Sequence, residues 1–336
     1  MQVNKLLKKK RQLNLGIDMA SAFIKAVVID TSKPKPELIS FAYEPVGTDK
    51  TSALKRAINQ LKLTNTEAVT SISGPSVAVR IIEMPPMNDG ELKSAVAFEA
   101  EKYIPYKLDD VITDCARIEN LPNGKISVLL VAAKKSTVTD AIQLLSSAGV
   151  TLRAVDVDSF AAMRTLLNSE KIEEGTTCAL IDIGASLTNV NIIRNGISYI
   201  ARDIQIGGNN ITTAIAERLN LKQEAAEAAK IKPGELLNEI TPIVKGVLIN
   251  LLDEIRLSFD FYENRFGKNI QKVFISGGSS VLSVGLDNLL KEIFSGEVLF
   301  LDPFNNLDIS PEINKQALEP LKPFFAVAVG LALREN

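Results

Sequence analysis

The chain has 336 residues, 46% of them hydrophobic and 23% charged, and a formal net charge of -2 at pH 7. This length suits one large two-lobed body or two domains, and a charge so close to zero gives no reason to expect nucleic acid as the main partner. The absence of histidine excludes histidine-assisted nucleophiles and histidine-based zinc sites. The two cysteines, Cys115 and Cys178, are far apart in the chain, so they give no disulfide framework and suit a reducing cytosol.

Residues 1–12 are rich in lysine, and we interpret them as a basic, flexible N-terminus. They lack the apolar core of a secretory signal. The most apolar run, Phe324 to Leu333, is shorter than the about 20 residues of a membrane-spanning helix, so it predicts a buried helix. A membrane-spanning segment is therefore not expected.

A first lobe core is predicted for residues 13–80, completed by residues 151–172. Two strand-like runs, "LNLGIDM" and "FIKAVVID", open it, and "PELISFAYEPV" predicts a third strand. A helix follows, because Leu54, Ile58 and Leu61 share one helical stripe. Strands followed by a helix indicate an α/β structure with a mixed sheet.

Residues 81–150 are predicted to form an inserted unit of helix, strand, strand and helix. A pair of prolines ends the preceding strand, and Asn88 and Glu91 have the spacing of a capping box. The first helix is expected to end near Tyr103, and Gly149 is expected to close the last one.

An internal repeat is the most informative feature of the chain. "LNLGIDMASAFIKAVVID" near the start resembles "CALIDIGASLTNVNIIRN" in the middle, and both predict a strand, a turn with an acid and small residues, and a second strand. The repeat indicates two related lobes. We assign the second lobe core to residues 173–205 with 272–336, and a second-lobe subdomain to residues 206–271.

The small residues of the two repeated turns predict phosphate binding. A backbone that approaches a phosphate closely needs residues without bulk, so that its N–H groups can face the anion. Ala20 and Ser21 meet this need in the first turn, and Gly184, Ala185 and Ser186 meet it in the second. Small residues also serve ordinary tight turns, but two such turns in corresponding positions strengthen the phosphate interpretation.

The acids of the two turns predict a metal ion. Asp18 and Asp182 cannot contact phosphate favourably by themselves, whereas a hydrated Mg²⁺ takes both carboxylate and phosphate oxygens. Lys25 would add a positive charge for the same phosphates. A later cluster, Gly277 and Gly278, lies between a strand and a helix, where it serves either a nucleotide or a plain turn.

These motifs together resemble the actin-like ATPase superfamily, and within it the PilM family of type IV pilus assembly proteins, relatives of FtsA. "RIIEMPPMNDGELKSAVAFEAEKYIPY" is similar to the insertion of that family, and "DIQIGGNNITTAIAERLNL", "LLDEIRLSFDFYEN" and "FFAVAVGLALRE" are similar to its later segments. The resemblance implies an α/β fold of two lobes with duplicated mixed-sheet cores. It also implies an inserted α/β subdomain in the first lobe and a subdomain of helices and strands in the second.

The resemblance also implies a set of site residues and the cofactors ATP and Mg²⁺. Asp18 and Asp182 would hold the metal, and Asp158 falls where chaperone relatives place an acid that positions the attacking water, although an acid there can equally cap the helix. The implied nucleotide-binding residues are Asp18, Ala20, Ser21, Lys25, Asp182, Gly184, Ala185, Ser186, Thr188, Gly207, Gly208, Glu254, Gly277, Gly278 and Ser279.

Two positions depart from the family pattern. Ala20 stands where the first turn usually carries glycine, so we expect a strained or reshaped turn, because only glycine adopts positive φ without cost. Leu257 replaces an arginine and lies off the buried helical stripe, so it either covers the base or is exposed.

The function implied by the resemblance is a cytoplasmic ATP-binding platform, peripheral to the inner membrane, with weak or no ATPase activity. Its expected partner is the N-terminal cytoplasmic segment of PilN, and through PilN the protein PilO, with membrane contact only through the partner. Leu92, Val96, Tyr103 and Ile104 are the residues proposed to line a partner groove, unless they pack only the core of the insertion. The alternatives are a self-associating filament protein similar to FtsA or MreB, and a kinase with the same lobes.

Overall fold

The computed structural model describes residues 11–63, 67–281 and 286–335. The predicted basic N-terminus falls almost entirely outside these ranges. Within them, no helix combines the length and the apolar character needed to cross a membrane.

The strands and helices of the described residues follow one another along the chain with short connections. The strands are β1 (Leu13–Met19), β2 (Phe23–Asp30), β3 (Glu37–Pro45), β4 (Glu67–Ile72), β5 (Val77–Met84), β6 (Val111–Asn120), β7 (Ile126–Lys134), β8 (Thr151–Val157), β9 (Thr177–Ile183), β10 (Thr188–Arg194), β11 (Ile197–Ile204), β12 (Lys272–Ser276), β13 (Glu297–Phe300) and β14 (Asp308–Ile309). The α-helices are α1 (Lys50–Leu61), α2 (Asp89–Glu99), α3 (Lys135–Ser147), α4 (Asp158–Ser169), α5 (Gly208–Leu219), α6 (Gln223–Ile231), α7 (Leu237–Phe266), α8 (Leu286–Ile293), α9 (Lys315–Leu318) and α10 (Ala326–Ala332).

The two lobe cores are built on sheets of the same design, which confirms the predicted duplication. The first sheet has the order β14-β3-β2-β1-β4-β8 and the second has the order β11-β10-β9-β12-β13. In each sheet the opening strand pairs antiparallel with the strand that follows it, and parallel with a later strand on its other side. The opening strands are buried along most of their length, which explains their unbroken apolar runs.

The helices α4 and α10 pack between the two sheets and join the lobes. Their apolar residues share one core with β4 of the first sheet and with β9 and β12 of the second. Gly330 permits the contact between the helices, because a Cβ there would lie 1.7 Å from the carbonyl oxygen of Ala161. Gly16 permits the contact between β1 and α10, because a Cβ there would lie 2.3 Å from the carbonyl oxygen of Ala328.

The inserted unit is a three-stranded antiparallel sheet, β5-β7-β6, covered on one face by α2. The capping box of Asn88 and Glu91 is present at the start of α2. This sheet begins at Val77, so the predicted boundary at residue 81 falls inside β5. The helix α3, predicted as part of the insertion, instead buries Leu145 in the core of the first lobe.

The subdomain of the second lobe consists of α5, α6 and α7. Every residue from 205 to 271 is described, and none of them forms a strand, so the strand predicted for this subdomain is wrong. Alanine, glutamate and leucine are common in this segment, and all three favour helix.

Candidate functional site

The two predicted phosphate turns meet at the cleft between the lobes. The Ser21 hydroxyl lies 2.7 Å from the Ser186 hydroxyl, although the residues are 165 positions apart in the chain. A cavity of about 460 Å³ is lined by both turns, and a second of about 540 Å³ adjoins it. Because Ala20, Lys25 and Gly184 line both, the two cavities are parts of one cleft.

An ion pair lies at the foot of the first turn. The Lys25 ammonium is 2.5 Å from a carboxylate oxygen of Asp18, and both side chains are largely buried. The strands β1 and β2 place the two residues directly opposite each other. Burial alone would lower the pKa of Lys25, but the charge and hydrogen bond of Asp18, with the charges of Asp182 and Asp158, raise it.

Asp182 lies at the corresponding place in the second lobe. Burial raises the pKa of its carboxyl, while the Ser276 hydroxyl donates a hydrogen bond to it at 2.6 Å and opposes the rise. A buried carboxylate of this kind gains from a nearby cation, which fits a divalent metal. In the described part of the chain no three Asp, Glu, His or Cys residues cluster as metal ligands, so an ion here would draw most of its ligands from phosphate and water.

Asp158 faces the same cavity from the start of α4. Burial, followed by the charge of Asp18, raises the pKa of its carboxyl to about 7, and the nearby hydroxyls of Ser71 and Ser73 only partly oppose this. Asp158 is the first residue of α4, and Val157 occupies the N-cap position. The structure therefore places a carboxyl that titrates near neutrality at the cleft.

The glycines at the start of α5 hold the second turn in place. The N–H of Gly208 donates to the carbonyl of Gly184 at 3.0 Å, and that of Asn209 donates to the carbonyl of Ala185 at 2.7 Å. A Cβ on Gly207 would lie 2.7 Å from the same Ala185 oxygen. Gly207 and Gly208 thus support the turn from behind and do not line the cleft.

The later glycine cluster closes the second cavity. Gly277 has a φ of +90°, and a Cβ there would lie 2.3 Å from the carbonyl oxygen of Ile183. Gly278 lies under the ring of Phe324, and the Ser279 hydroxyl donates to the carbonyl of Gly184 at 3.0 Å. Gly278 and Ser279 line the cavity.

Three residues singled out from the sequence lie elsewhere. Thr188 is buried, and its hydroxyl donates to the carbonyl of Ile206. Because side chains alternate along β10, the neighbouring Asn189 faces the cleft instead. Glu254 forms an ion pair with Arg202 of β11, on a face of α7 that points away from the two cavities. Leu257 is exposed on that same helix, so it does not cover a base in this cleft.

The backbone at Ala20 is not strained. The non-glycine residues with positive φ in the described ranges are Lys62, Asn195 and Asn220, so the expectation of a strained first turn is wrong. Alanine fits because the turn between β1 and β2 does not use positive φ at this position.

Several cleft residues were not predicted from the sequence. The helix α6 contributes Glu227 and Lys230, and the Lys230 ammonium is buried against the Thr212 hydroxyl at 2.9 Å and the Glu227 carboxylate at 2.6 Å. Tyr43 of β3 also lines the second cavity. A lysine in an alanine-rich helix gives no sequence signal of burial, because only the packing of α6 on α5 encloses it.

Most of the residues proposed to line a partner groove pack inside the insertion. Leu92, Val96 and Ile104 are buried in the core of the insertion, because α2 turns its apolar stripe toward its own sheet, and only Tyr103 is substantially exposed, at 38%. An open groove of about 560 Å³ lies instead on the other face of that sheet. Its apolar lining is Ile112, Leu129 and Val131 of the insertion and Phe160 and Met163 of α4.

Comparison with known proteins identifies the family. The model of the family described as "Type IV pilus assembly protein PilM" matches residues 16–336. A solved PilM-PilN type IV pilus biogenesis complex has a TM-score of 0.85 and 28% identity, and the match covers 96% of this chain and 98% of that one. An archaeal actin homologue in complex with ADP has a TM-score of 0.51 and 14% identity, covering 96% and 98% of the two chains, which shows a shared fold.

Relatives among the cell division proteins match more weakly. FtsA of Borreliella burgdorferi is 22% identical over 233 residues, which cover 62% of this chain and 54% of FtsA. For FtsA of Helicobacter pylori the match is 24% identical over 112 residues, 33% of this chain and 22% of FtsA. The chain thus spans about half or less of these relatives. The family match, by contrast, extends over nearly the whole chain and both lobes, and the chain belongs to the type IV pilus assembly protein PilM family, with an actin-like ATPase fold.

Proposed function

We propose that this chain is a platform protein of type IV pilus assembly that binds Mg-ATP between its lobes and holds a PilN segment in the groove beside its insertion. The observation that carries the nucleotide proposal is the meeting of two acidic, small-residue turns from corresponding positions of duplicated lobes. The contact between Ser21 and Ser186 brings the backbones of both turns to one point. Phosphate groups at that point would receive N–H groups from both lobes.

The charged side chains of the cleft suit the phosphate end of a nucleotide. Lys25 is held in its charged form by Asp18 and offers a positive charge beside the first turn. Asp18 and Asp182 stand on the two lobes, where they would hold a hydrated Mg²⁺, which supplies charge neutralisation to the phosphates when bound. The fold family includes an actin homologue with bound ADP, which supports a nucleotide as the ligand.

Asp158 is the candidate acid–base residue. A carboxyl with a pKa of about 7 accepts a proton from water more readily than an ordinary aspartate, but it is protonated in about half of the molecules at neutral pH. We therefore propose slow hydrolysis of ATP or none, with the nucleotide acting mainly through the closure of the lobes.

The groove of the insertion suits a short segment with apolar side chains. Strand alternation turns Leu129 and Val131 toward this groove while Val128 and Leu130 face α2. The Asp156 carboxylate beside the groove is neutralised by Arg164 at 3.0 Å and by Arg334 at 2.7 Å. The family likeness to a PilM-PilN complex supports the N-terminal cytoplasmic segment of PilN as the occupant.

This partner would also set the location of the protein. The chain would lie in the cytoplasm at the inner membrane because PilN holds it there, and it would reach PilO and other assembly components indirectly. Co-sedimentation with membrane vesicles that contain PilN, compared with vesicles that lack it, tests this location.

Calorimetric titration of the nucleotide-stripped chain with Mg-ATP tests the nucleotide proposal. Wild type should bind, Asp182→Asn should lose most of the affinity, and Asp260→Asn, an exposed acid of α7, should bind as wild type does. Circular dichroism establishes that each variant is folded. Absence of binding by the folded wild type would refute the nucleotide site.

A labelled peptide from the N-terminus of PilN tests the groove by fluorescence anisotropy. Ile112→Asp places a charge on the apolar wall and should abolish binding. Phe98→Asp is the matched control, because Phe98 is 79% exposed on α2 and does not line the groove. Equal loss in both variants, or in neither, would contradict the assignment of the groove.

A further inference from the structure

An open groove of about 740 Å³ lies between the insertion and the second lobe. We call it the β5 groove, and its main walls are residues 77–81 of β5, residues 198–203 of β11, and Leu257, Phe261 and Arg265 of α7. Among the described residues it shares none with the two cavities of the nucleotide cleft, and only Val157 and Ser198 with the groove proposed for PilN. The functions proposed above therefore leave the β5 groove unused.

Two edge strands border this groove. In the described part of the chain, β5 ends the sheet β5-β7-β6, and β11 ends the sheet β11-β10-β9-β12-β13. Side chains alternate between the two faces of a strand, so the unbroken runs of lining residues, 77–81 and 198–203, show that strand edges border the groove. A free edge carries backbone N–H and C=O groups that pair readily with another strand.

Apolar side chains lie beside these edges. Leu257 and Phe261 are 56% and 54% exposed and lie about one turn apart on α7, so they form one apolar surface. Val79 and Ile81 of β5 are half-buried and line the same groove. Because a strand added at β5 turns every second side chain to the same side, this lining suits a segment with apolar residues at alternate positions.

Three arginines, Arg80, Arg202 and Arg265, also line the groove. Arg202 forms an ion pair with Glu254 of α7. Among the described residues no carboxylate pairs with the other two: Arg80 donates to the carbonyl of its own neighbour in β5, and the Arg265 guanidinium lies 5.9 Å from the centre of the Phe261 ring. Two cations of the groove thus remain available to an acidic ligand.

Asp203 is the one acid among the described residues of this lining. Its carboxylate accepts hydrogen bonds from the N–H of Gly74 and from the side-chain amide of Asn189. These bonds already satisfy the carboxylate and hold it against the first lobe. The charge of the β5 groove is therefore positive overall, with three arginines against one hydrogen-bonded acid.

We propose that the β5 groove binds a short, extended, acidic segment of a partner protein, which adds a strand to the free edge of β5. Backbone hydrogen bonds to β5 would supply affinity, and apolar side chains at alternate positions would pack on Leu257 and Phe261. The carboxylates of the segment would pair with Arg80 and Arg265. The inference does not depend on the nucleotide, and it concerns a site separate from the groove proposed for PilN.

The probe is a fluorescently labelled peptide of eight residues, the length of β5, in which glutamate and valine alternate. Fluorescence anisotropy with the full chain should show binding that weakens as salt is added, because the arginines are exposed to solvent. A peptide of alternating lysine and valine has the opposite charge and should bind about tenfold more weakly or not at all. Absence of binding by the acidic peptide would overturn the proposal.

Two methylated forms of the acidic peptide test strand addition itself. Successive backbone N–H groups of a strand point to opposite edges, so methylation of every valine nitrogen blocks one edge and methylation of every glutamate nitrogen blocks the other. One form should lose binding and the other should keep it, because only one edge of the added strand meets β5. Equal binding by both forms, or loss in both, would refute strand addition.

Variants of the chain locate the bound peptide. Leu257→Asp should weaken binding by about tenfold, while Ile249→Asp, 53% exposed on the same helix but outside the groove, should not. Arg265→Gln should weaken binding, and Arg256→Gln, an exposed arginine of α7 outside the groove, should leave it unchanged. Ile112→Asp should also leave it unchanged, and a loss in that variant would place the peptide in the other groove and overturn the proposal.

Hydrogen exchange provides a readout that does not depend on variants. The acidic peptide should slow exchange of the amides in residues 77–81, because the added strand accepts hydrogen bonds from the free edge of β5. The amides of β6, at the other edge of the same sheet, are the internal control and should exchange as before. Protection of β6 in place of β5 would contradict the assigned edge.

Discussion

The hydroxyl of Ser21 and the hydroxyl of Ser186 touch across the interlobe cleft at 2.7 Å. Each belongs to the turn of a hairpin that opens one of the duplicated sheets, so the contact joins equivalent points of the two lobes. A nucleotide phosphate bound between the turns would occupy the space near this contact. The distance between the two serine hydroxyls therefore reports whether the space between the turns is filled.

A double variant, Ser21→Cys with Ser186→Cys, should form a disulfide under mild oxidation, because the side-chain atoms already lie close to bonding distance. Mg-ATP should slow this reaction, because a phosphate bound between the turns would occupy the space that the disulfide needs, even while the lobes close on the nucleotide. Mass spectrometry and gels without reductant measure it, and each single variant serves as a control for the native Cys115 and Cys178. No cross-link in the absence of nucleotide would contradict the contact.

The pH dependence of stability should reveal Asp158. Its folded pKa of about 7 lies above the ordinary value of 3.8, so the folded state binds this proton more tightly than the unfolded state. The contribution of this bound proton to the free energy of unfolding is fully present below about pH 4, and it is lost as the pH rises toward 7. At pH 8, Asp158→Asn should therefore raise the free energy of unfolding by about 1 to 2 kcal/mol, less than full burial would give, because solvent reaches part of the side chain.

Urea denaturation of both proteins at pH 4 and pH 8 measures this effect. The rise in the free energy of unfolding that Asp158→Asn produces should nearly vanish at pH 4. Asp140→Asn changes an exposed acid that lines the same cavity and should show no such pH dependence. A gain that is equal at both pH values would contradict the assigned pKa.

Removal of the Lys25 ammonium should destabilise the fold strongly. Lys25→Met leaves the buried carboxylate of Asp18 without its partner, which typically costs about 3 kcal/mol. Lys35→Met removes an exposed lysine that pairs with Asp308, and it should cost less than about 1 kcal/mol. Similar losses for the two variants in urea denaturation at pH 7 would show that the Asp18–Lys25 pair is not buried.

Two glycines in helices should respond to alanine in opposite directions. Gly330→Ala should destabilise by about 3 kcal/mol or more, because its Cβ would lie 1.7 Å from the Ala161 oxygen. Gly246→Ala should stabilise by about 0.5 to 1 kcal/mol, because it meets no atom within 4 Å and alanine favours helix. Thermal unfolding measures both, and a stabilising Gly330→Ala would refute the close packing of α4 on α10.

Much of the fold could be predicted from the sequence, because strand runs, helical stripes and caps are local properties of the chain. The repeat of an acid followed by small residues placed Asp18 and Asp182 at equivalent turns, and the structure brings their turns together. The capping box of α2 followed from the spacing of Asn88 and Glu91 alone. Asp18 and Lys25 were predicted to serve a metal ion and the phosphates; the structure also pairs them with each other, because β1 and β2 place them opposite.

The tertiary structure decided which face of each element meets the cleft. Thr188 and Asn189 are neighbours in one strand, yet only Asn189 lines the cavity, and Leu92 and Val96 turn inward because α2 packs on its own sheet. Glu254 lies outside the cleft because α7 buries its opposite stripe. Tyr43 of β3 meets Glu227 and Lys230 of α6 in the second cavity, although the two segments are far apart in the chain. Sequence periodicity shows that an element has a buried face, but the burial of that face depends on surfaces contributed by residues far away in the chain.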